Sequence, residues 1–296
     1  MLRQRLIFGT LLTIAFLGVL ALDAWLDGSL LPEQNRQPIQ ATLLAVLLIL
    51  LAKPVQMEMA ALARQSQTHI FLPVTVPAAA VISTAFYWSQ FFTTRQEIRM
   101  LFLLLALPAA FAALFFAQVL RFGTQNALKN IAVSSFSILY LGFLPAFILA
   151  IRIHLDLRHL LIFIFTIKCS DIGAYTIGKL LGKHKLAPAI SPGKTWQGLA
   201  GAVIFAAGLA YTLNLFCGIM TSAWALAFGA AFGILGQLSD LAESMLKRDA
   251  GLKDSSARIP GFGGILDLID SLLATAPAAY AFFLWYAFNA AKQVSG

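Results

Sequence analysis

The chain has 296 residues, 59% of them apolar and only 11% charged, with a mean hydropathy of +0.81. A soluble domain carries roughly a quarter of its residues charged, so this composition argues against a cytosolic enzyme, a disordered tail or a free nucleic-acid binder and makes the bilayer the solvent. The 21 Lys and Arg against 13 Asp and Glu then read as loops facing anionic lipid, with no nucleic acid as partner.

In chain order, Arg3 and Arg5 precede an apolar run from Leu6 to Leu22. The layout is that of a signal peptide, but the run is too long and no small-residue cleavage site follows it, so it reads as a retained span. A helix crosses the hydrocarbon core in about 20 residues. By that measure spans fall near 6–26, 41–62, 70–90, 98–118, 131–151, 159–178, 198–218, 222–245 and 265–289. Lys53, Pro54 and Glu58 interrupt the second, and Pro73 and Pro77 the third. The predicted fold class is all-α, a polytopic transmembrane bundle of about nine spans. Residues 1–155 form its N-terminal helices and 156–296 a C-terminal transmembrane region with two polar loops.

With the N-terminus inside, the inner segments hold 14 Lys and Arg and the outer segments 6, leaving Lys168 aside because it lies within a span. That bias predicts an N-inside, multi-pass protein of the bacterial inner-membrane type, with both polar loops on the cytoplasmic side. Cys169 and Cys217 sit in apolar stretches, and the four histidines are scattered, so neither a disulfide framework nor a zinc site is expected.

Seven of the 13 acids fall between Asp171 and Asp270. An unpaired ion at membrane depth costs roughly 2.5–3.5 kcal/mol, so partners or bound cations must offset these charges. Asp240, Glu243, Ser244 and Lys247 stand at i, i+3, i+4 and i+7, on one helix face. Asp267, Asp270 and Ser271 repeat the pattern, and Lys168, Asp171 and Tyr175 share a third stripe. Carboxylates without histidine or thiolate select a hard cation, which makes Mg2+ the expected cofactor. The competing reading is an ion-pair network between helices.

Between the sixth and seventh spans runs Gly178-Lys179, then Gly182-Lys183-His184-Lys185, then Ser191-Pro192-Gly193-Lys194-Thr195. Glycine lets backbone amides approach phosphate oxygens and lysine supplies charge; the alternative for Lys183 and Lys185 is a lipid-headgroup anchor. Neither run has the spacing of a P-loop. The second loop, Lys247 to Gly264, carries Arg248, Asp249, Lys253, Asp254 and Arg258 and joins two acidic stripes. It would place cations beside a nucleotide's phosphates.

Ser244-Met245-Leu246-Lys247-Arg248, Lys253-Asp254, Pro260-Gly261-Phe262-Gly263-Gly264, Asp267 and Asp270 together resemble the signature of phosphatidate cytidylyltransferases. Asp171 to Tyr175, Gly178-Lys179, Gly182-Lys183, Ser191 to Thr195 and Asp240 to Ser244 extend the resemblance, which covers about 160–290. It implies a polytopic membrane enzyme joining phosphatidate and CTP to give CDP-diacylglycerol and pyrophosphate with a divalent cation. By motif match Asp240, Asp267 and Asp270 hold the cation, and Lys247, Arg248, Lys253 and Lys194 grip triphosphate and lipid phosphate. Ser244 adds a hydrogen bond, Asp171 completes the site, and Lys179, Ser191 and Asp254 join the substrate-binding set. The chain departs from the pattern at Phe262, where His is usual, at Leu268, where Arg is usual, at Gln197 for Glu, and at Gly193 for a basic residue.

Three other functions remain open on the sequence: a CTP-dependent lipid-alcohol kinase, an inactive paralog or one with another acceptor, and a cation transporter. CTP, phosphatidate and membrane lipid are the expected partners. The first five spans are expected to support the catalytic half, admit lipid or bury a homodimer contact.

Overall fold

A computed structural model describes residues 2–30, 36–92, 96–256 and 263–295, with side chains for 8–30, 36–92, 104–256 and 263–292. Phe262 and Pro260-Gly261 of the signature, and Arg95 and Arg258 of the charge count, lie outside the described residues. Among the described residues, eight helices are long and apolar enough to cross a membrane: Phe8–Leu26, Thr42–Gln65, Leu104–Phe122, Ala127–His154, Leu157–Leu181, Trp196–Cys217, Ser222–Asp249 and Leu266–Lys292. A ninth candidate is the pair Leu72–Ser83 and Ala85–Phe92, bent by 52°. Each expected span therefore has a helical counterpart, and the third is the bent pair.

The chain divides into two compact units. The first comprises Met1–His154 and Asp249–Ile269. It contains α1 (Leu2–Leu26), α2 (Thr42–Gln65), α3 (Leu72–Ser83), α4 (Ala85–Ser89), α5 (Gln96–Phe122), α6 (Ala127–Ile138) and α7 (Leu144–His154). The bend between α3 and α4 falls at Thr84, whose hydroxyl donates to the Ala80 carbonyl at 2.7 Å and accepts from Trp88 Nε1 at 3.0 Å. Such back-bonding competes with the helical ladder and bends it. Phe71, Ile82, Ala110, Leu114 and Ile138 form a buried apolar cluster where α3, α5 and α6 meet.

At the other end of this unit sits a buried ionic clamp. Arg152 on α7 is fully buried; its Nη2 donates to Asp27 Oδ2 at 2.7 Å and lies 3.5 Å from Asp23 Oδ2. Asp23 Oδ1 accepts from the Leu43 amide at 2.7 Å, and Asp27 Oδ2 from the Ala41 amide at 3.2 Å. The two acids thus tie the end of α1 to the start of α2, and Arg152 joins the end of α7 to both.

The second unit comprises Leu155–Arg248 and Asp270–Gly296. Here α8 (Leu157–Leu181) starts at Asp156, whose side chain accepts from the His159 amide and pairs with Arg158 at 2.8 Å. Burial pushes the Asp156 carboxyl up, but hydrogen bonds from His159 and Arg158 outweigh it and hold the group below the usual carboxylate range. After α8 comes an antiparallel hairpin, β1 (Lys185–Ala187) and β2 (Ser191–Thr195), in which Lys185 faces Thr195 and Ala187 faces Ser191. The polar run predicts only a loop here, whereas the backbone pairs as two short strands. Then α9 (Trp196–Cys217) begins at Thr195, whose hydroxyl accepts from the Gly198 amide at 3.0 Å, and α10 (Ser222–Asp249) follows. The chain ends with α11 (Leu266–Leu273) and α12 (Ala276–Ser295).

Glycine sets how closely α8, α9 and α10 approach. A Cβ on Gly173 would lie 2.5 Å from the Gly201 carbonyl oxygen, and one on Gly201 would lie 2.5 Å from Ile177 Cβ. On α10, a Cβ at Gly233 would come within 3.0 Å of the α9 backbone at Ala202 and Val203, and Gly229 meets Ala206 and Ala207 more closely still. Helices in a bilayer associate through such small-residue contacts, because lipid tails are as apolar as leucine. The close seam fixes the faces of α8 and α10 that bear Asp171 and Asp240.

Candidate active site

The second unit holds a cleft of about 440 Å³ lined by α8, the hairpin, the start of α9 and α10, with Asp171, Lys179, Lys194 and Asp240 among its walls. Lys194 reaches in from β2: its Nζ pairs with Asp240 Oδ2 at 2.6 Å and donates to the Gln237 carbonyl at 2.9 Å. Gln237 in turn donates from Nε2 to Asp171 Oδ1 at 3.1 Å. Asp171 also lies 3.7 Å from Lys168, and its Oδ2 accepts from Ser271 Oγ at 3.3 Å. Lys179 is exposed, with Nζ 5.6 Å from the centre of the Tyr175 ring.

Next to Asp240 lies an acidic group. Among the described residues, Asp240, Glu243 and Asp270 each offer an oxygen, and these oxygens all lie within 4.8 Å of one another. Glu243 is fully buried and Asp270 is 6% exposed. Glu243 pairs with Lys247 one turn along α10, and Asp240 pairs with Lys194, so three carboxylates face two ammonium groups and this set of five carries one negative charge. Ser239 Oγ on α10 donates to the Asp270 carbonyl at 2.6 Å, which ties α11 to α10 at this point, and within α11 the Ser271 amide donates to Asp270 Oδ1 at 2.6 Å. Like charges this close at membrane depth repel, and a hard divalent cation on an all-oxygen donor set relieves that repulsion. The residues present fit such an ion.

The remaining sequence-selected residues are placed as follows. Arg248, exposed, donates from Nε to the Ile190 carbonyl at 3.1 Å, bracing the hairpin turn. Ser191 begins β2 and Ser244 lies on α10, both half-buried. Lys253 and Asp254 are exposed in the segment after α10, and Asp267 stands with them in the first unit. Asp267 Oδ2 accepts from the Ser255 amide at 2.9 Å, Ser255 Oγ at 2.8 Å and the Gly264 amide at 2.7 Å.

A model of the cytidylyltransferase family matches residues 3–286. The chain belongs to the cytidylyltransferase family. Among curated proteins it is similar to the phosphatidate cytidylyltransferase of Haemophilus influenzae, 42% identical over 135 residues covering 44% of this chain and 46% of that protein. The Pseudomonas aeruginosa phosphatidate cytidylyltransferase is 47% identical over 120 residues, covering 40% and 44%. That of Staphylococcus epidermidis strain RP62A is 39% identical over 122 residues, covering 41% and 47%. The matched stretches span a little under half the length of these relatives.

Within this cytidylyltransferase-family chain, two of the four sequence departures have a local account. Gln197 Oε1 accepts from the amides of Lys183 and His184, each at 3.2 Å, and its Nε2 lies 3.0 Å from His184 Nδ1. Glutamine and glutamate both present an oxygen to those amides, so the substitution keeps the turn between α8 and β1 closed. Gly193 lines the cleft with nothing within 4 Å of an added Cβ, so a basic side chain could stand there without strain. Leu268 is half-buried on α11. Glu243 is the member of the acidic group that the sequence placed only on the α10 stripe; its i+3 spacing from Asp240 was the available signal.

Proposed function

We propose that the chain transfers the cytidylyl group of CTP to phosphatidate, giving CDP-diacylglycerol and pyrophosphate, with Mg2+ as cofactor. The observation that carries this reading is that Asp240 belongs at once to the lysine-bearing cleft and to the three-carboxylate group, so phosphate-binding and cation-binding groups share one residue. The family match and the named relatives support the choice of nucleotide and lipid.

Asp240 and Asp270 would hold the ion together with Glu243; the motif match alone adds Asp267 to this set. When bound, Mg2+ supplies charge neutralisation for the phosphates of CTP. An oxygen of the phosphatidate phosphate attacks the α-phosphorus of CTP; the bond to the β-phosphate oxygen breaks and pyrophosphate leaves with that electron pair. A phosphate monoester is largely dianionic at neutral pH, with a second pKa near 6, so the attacking oxygen needs no general base. The protein's task is to position and neutralise. Lys194, oriented by Asp240 and the Gln237 carbonyl, and Lys179 at the cleft edge meet the triphosphate. Arg248 and Lys247 at the end of α10, with Lys253 beyond it, meet the lipid phosphate and the leaving group. Asp171, Ser191, Ser244 and Asp254 complete the substrate contacts.

The charge bias of the loops supports an N-inside orientation, which sets the site at the cytoplasmic face of the cell membrane. The test is purified protein in detergent with CTP, Mg2+ and phosphatidate, with the lipid product identified by mass. CDP-diacylglycerol, absent when Mg2+ is chelated, is the expected product; a lipid unchanged in mass refutes the proposal.

A further inference from the structure

Glu58 interrupts the apolar pattern of α2 and is 2% exposed, a position where a carboxylate is costly unless it is hydrogen-bonded. Its donors come from about 200 residues further along the chain. Oε1 accepts from Ser256 Oγ at 2.9 Å and the Ile265 amide at 3.2 Å; Oε2 accepts from the Leu266 amide at 2.9 Å and lies 3.2 Å from Ser255 Oγ, whose single proton it shares with the nearer Asp267 Oδ2. The amides of Ile265 and Leu266 stand at the beginning of α11, where helical N–H groups have no partner within the helix. Glu58 is thus a helix cap supplied from another helix, with its negative charge at the positive end of the α11 dipole.

The same helix holds the other end of the segment. Ser66, directly after α2, donates from Oγ to Asp249 Oδ2 at 3.3 Å. Between these anchors, Asp267 Oδ2 gathers Ser255 and the Gly264 amide. A Cβ on Gly264 would fall on Ser255 Oγ and Glu58 Oε2, so the segment passes Glu58 where glycine alone leaves room.

We infer that Glu58 is a positioning residue for the cytidylyl transfer proposed above, on which this inference rests. It fixes where α11 starts and so the rotation at which the helix presents Asp267 and Asp270. With 3.6 residues per turn, a slip of one residue would swing both carboxylates by about 100°. Within the first unit, α2 thus holds the start of α11 in register.

The experiment compares wild type, Glu58→Gln and Glu58→Asp as full-length protein in detergent, by amide hydrogen exchange and by turnover at varied Mg2+. Gln keeps the shape but turns an NH2 toward amide donors. Glu58→Gln should speed exchange at Ile265 and Leu266 by about tenfold and lower kcat by about tenfold, on the scale of losing a charge-assisted hydrogen bond. The Mg2+ needed for half-maximal rate should rise by about threefold, with KM for CTP changed by less than about twofold, because the nucleotide lysines stand on other elements. Glu58→Asp, one methylene short, should recover part of both losses, and it carries the comparison if the Gln variant fails to fold. Unchanged exchange at Ile265 and Leu266, or faster exchange with kcat and Mg2+ demand unaltered, overturns the inference. A wild type that makes no CDP-diacylglycerol refutes the reaction itself, whereas the exchange result reads the cap without any turnover.

Discussion

Replacing Asp240 with Asn is the sharpest perturbation of the acidic group. It removes one charge from the carboxylate set and leaves Lys194 without its 2.6 Å partner. Two unit charges at 4 Å interact by about 1 kcal/mol in bulk water and about 4 kcal/mol at an effective dielectric near 20. Asp240 is one-third exposed, so the lower part of that range applies; doubled for a divalent ion, the loss is about 3 kcal/mol. At 1.4 kcal/mol per tenfold, cation affinity should fall by about 100-fold. Binding of Mn2+, a paramagnetic substitute for Mg2+, can be followed by the loss of free-ion EPR signal in solubilised protein without substrate. Asp156→Asn removes the same formal charge at the α8 cap, where Asn still offers an oxygen to the helix, and should bind Mn2+ like wild type. Equal affinity in wild type and Asp240→Asn would refute the assignment of Asp240 to the ion.

Other substitutions probe the rest of the site and its scaffold. Lys194→Met should tighten Mn2+ binding, since it removes a positive charge beside Asp240, while slowing turnover by about 100-fold through loss of phosphate contact; weaker Mn2+ binding would contradict the charge balance described here. Gly201→Ala should lower the melting temperature and cost about 1–3 kcal/mol through overpacking against Ile177 and Gly173, and an unchanged melt would show that the α8–α9 seam yields. Arg152→Met strands Asp23 and Asp27 in the buried clamp and should destabilise the chain by about 3–5 kcal/mol, read as loss of folded protein on size-exclusion chromatography. Restoring a cation with Arg152→Lys should recover part of that loss.

The spans were legible because about 20 apolar residues leave a strong signal whatever they pack against. Even the weakest segment, 70–90, is helical; what hydropathy could not place is its bend, which depends on one hydroxyl, Thr84, turning back on its own carbonyls. The hairpin at Lys185–Thr195 escaped for a different reason. Strands of three and five residues, the second containing Pro192 and Gly193, have no alternation to read, and the turn leading into them is closed by Gln197 on the Lys183 and His184 amides. At the site, spacing along α10 puts Asp240 and Glu243 on one face, yet only the fold brings an Asp270 oxygen to within 4.8 Å of that pair. Glu58 shows the limit most plainly. Along the sequence it is a flaw in a span, and its role depends on donors in a segment about 200 residues away that no local pattern connects to it.

Attack of a lipid-phosphate oxygen on the α-phosphorus of CTP, as proposed above, leaves a label signature that no kinase reaction shares. Parallel reactions of the purified chain with phosphatidate, Mg2+ and CTP labelled either at the α- or at the γ-phosphate test it directly. α-Label in the lipid and γ-label in released pyrophosphate are expected; γ-label in the lipid, or no label in lipid from either nucleotide, would rule out cytidylyl transfer.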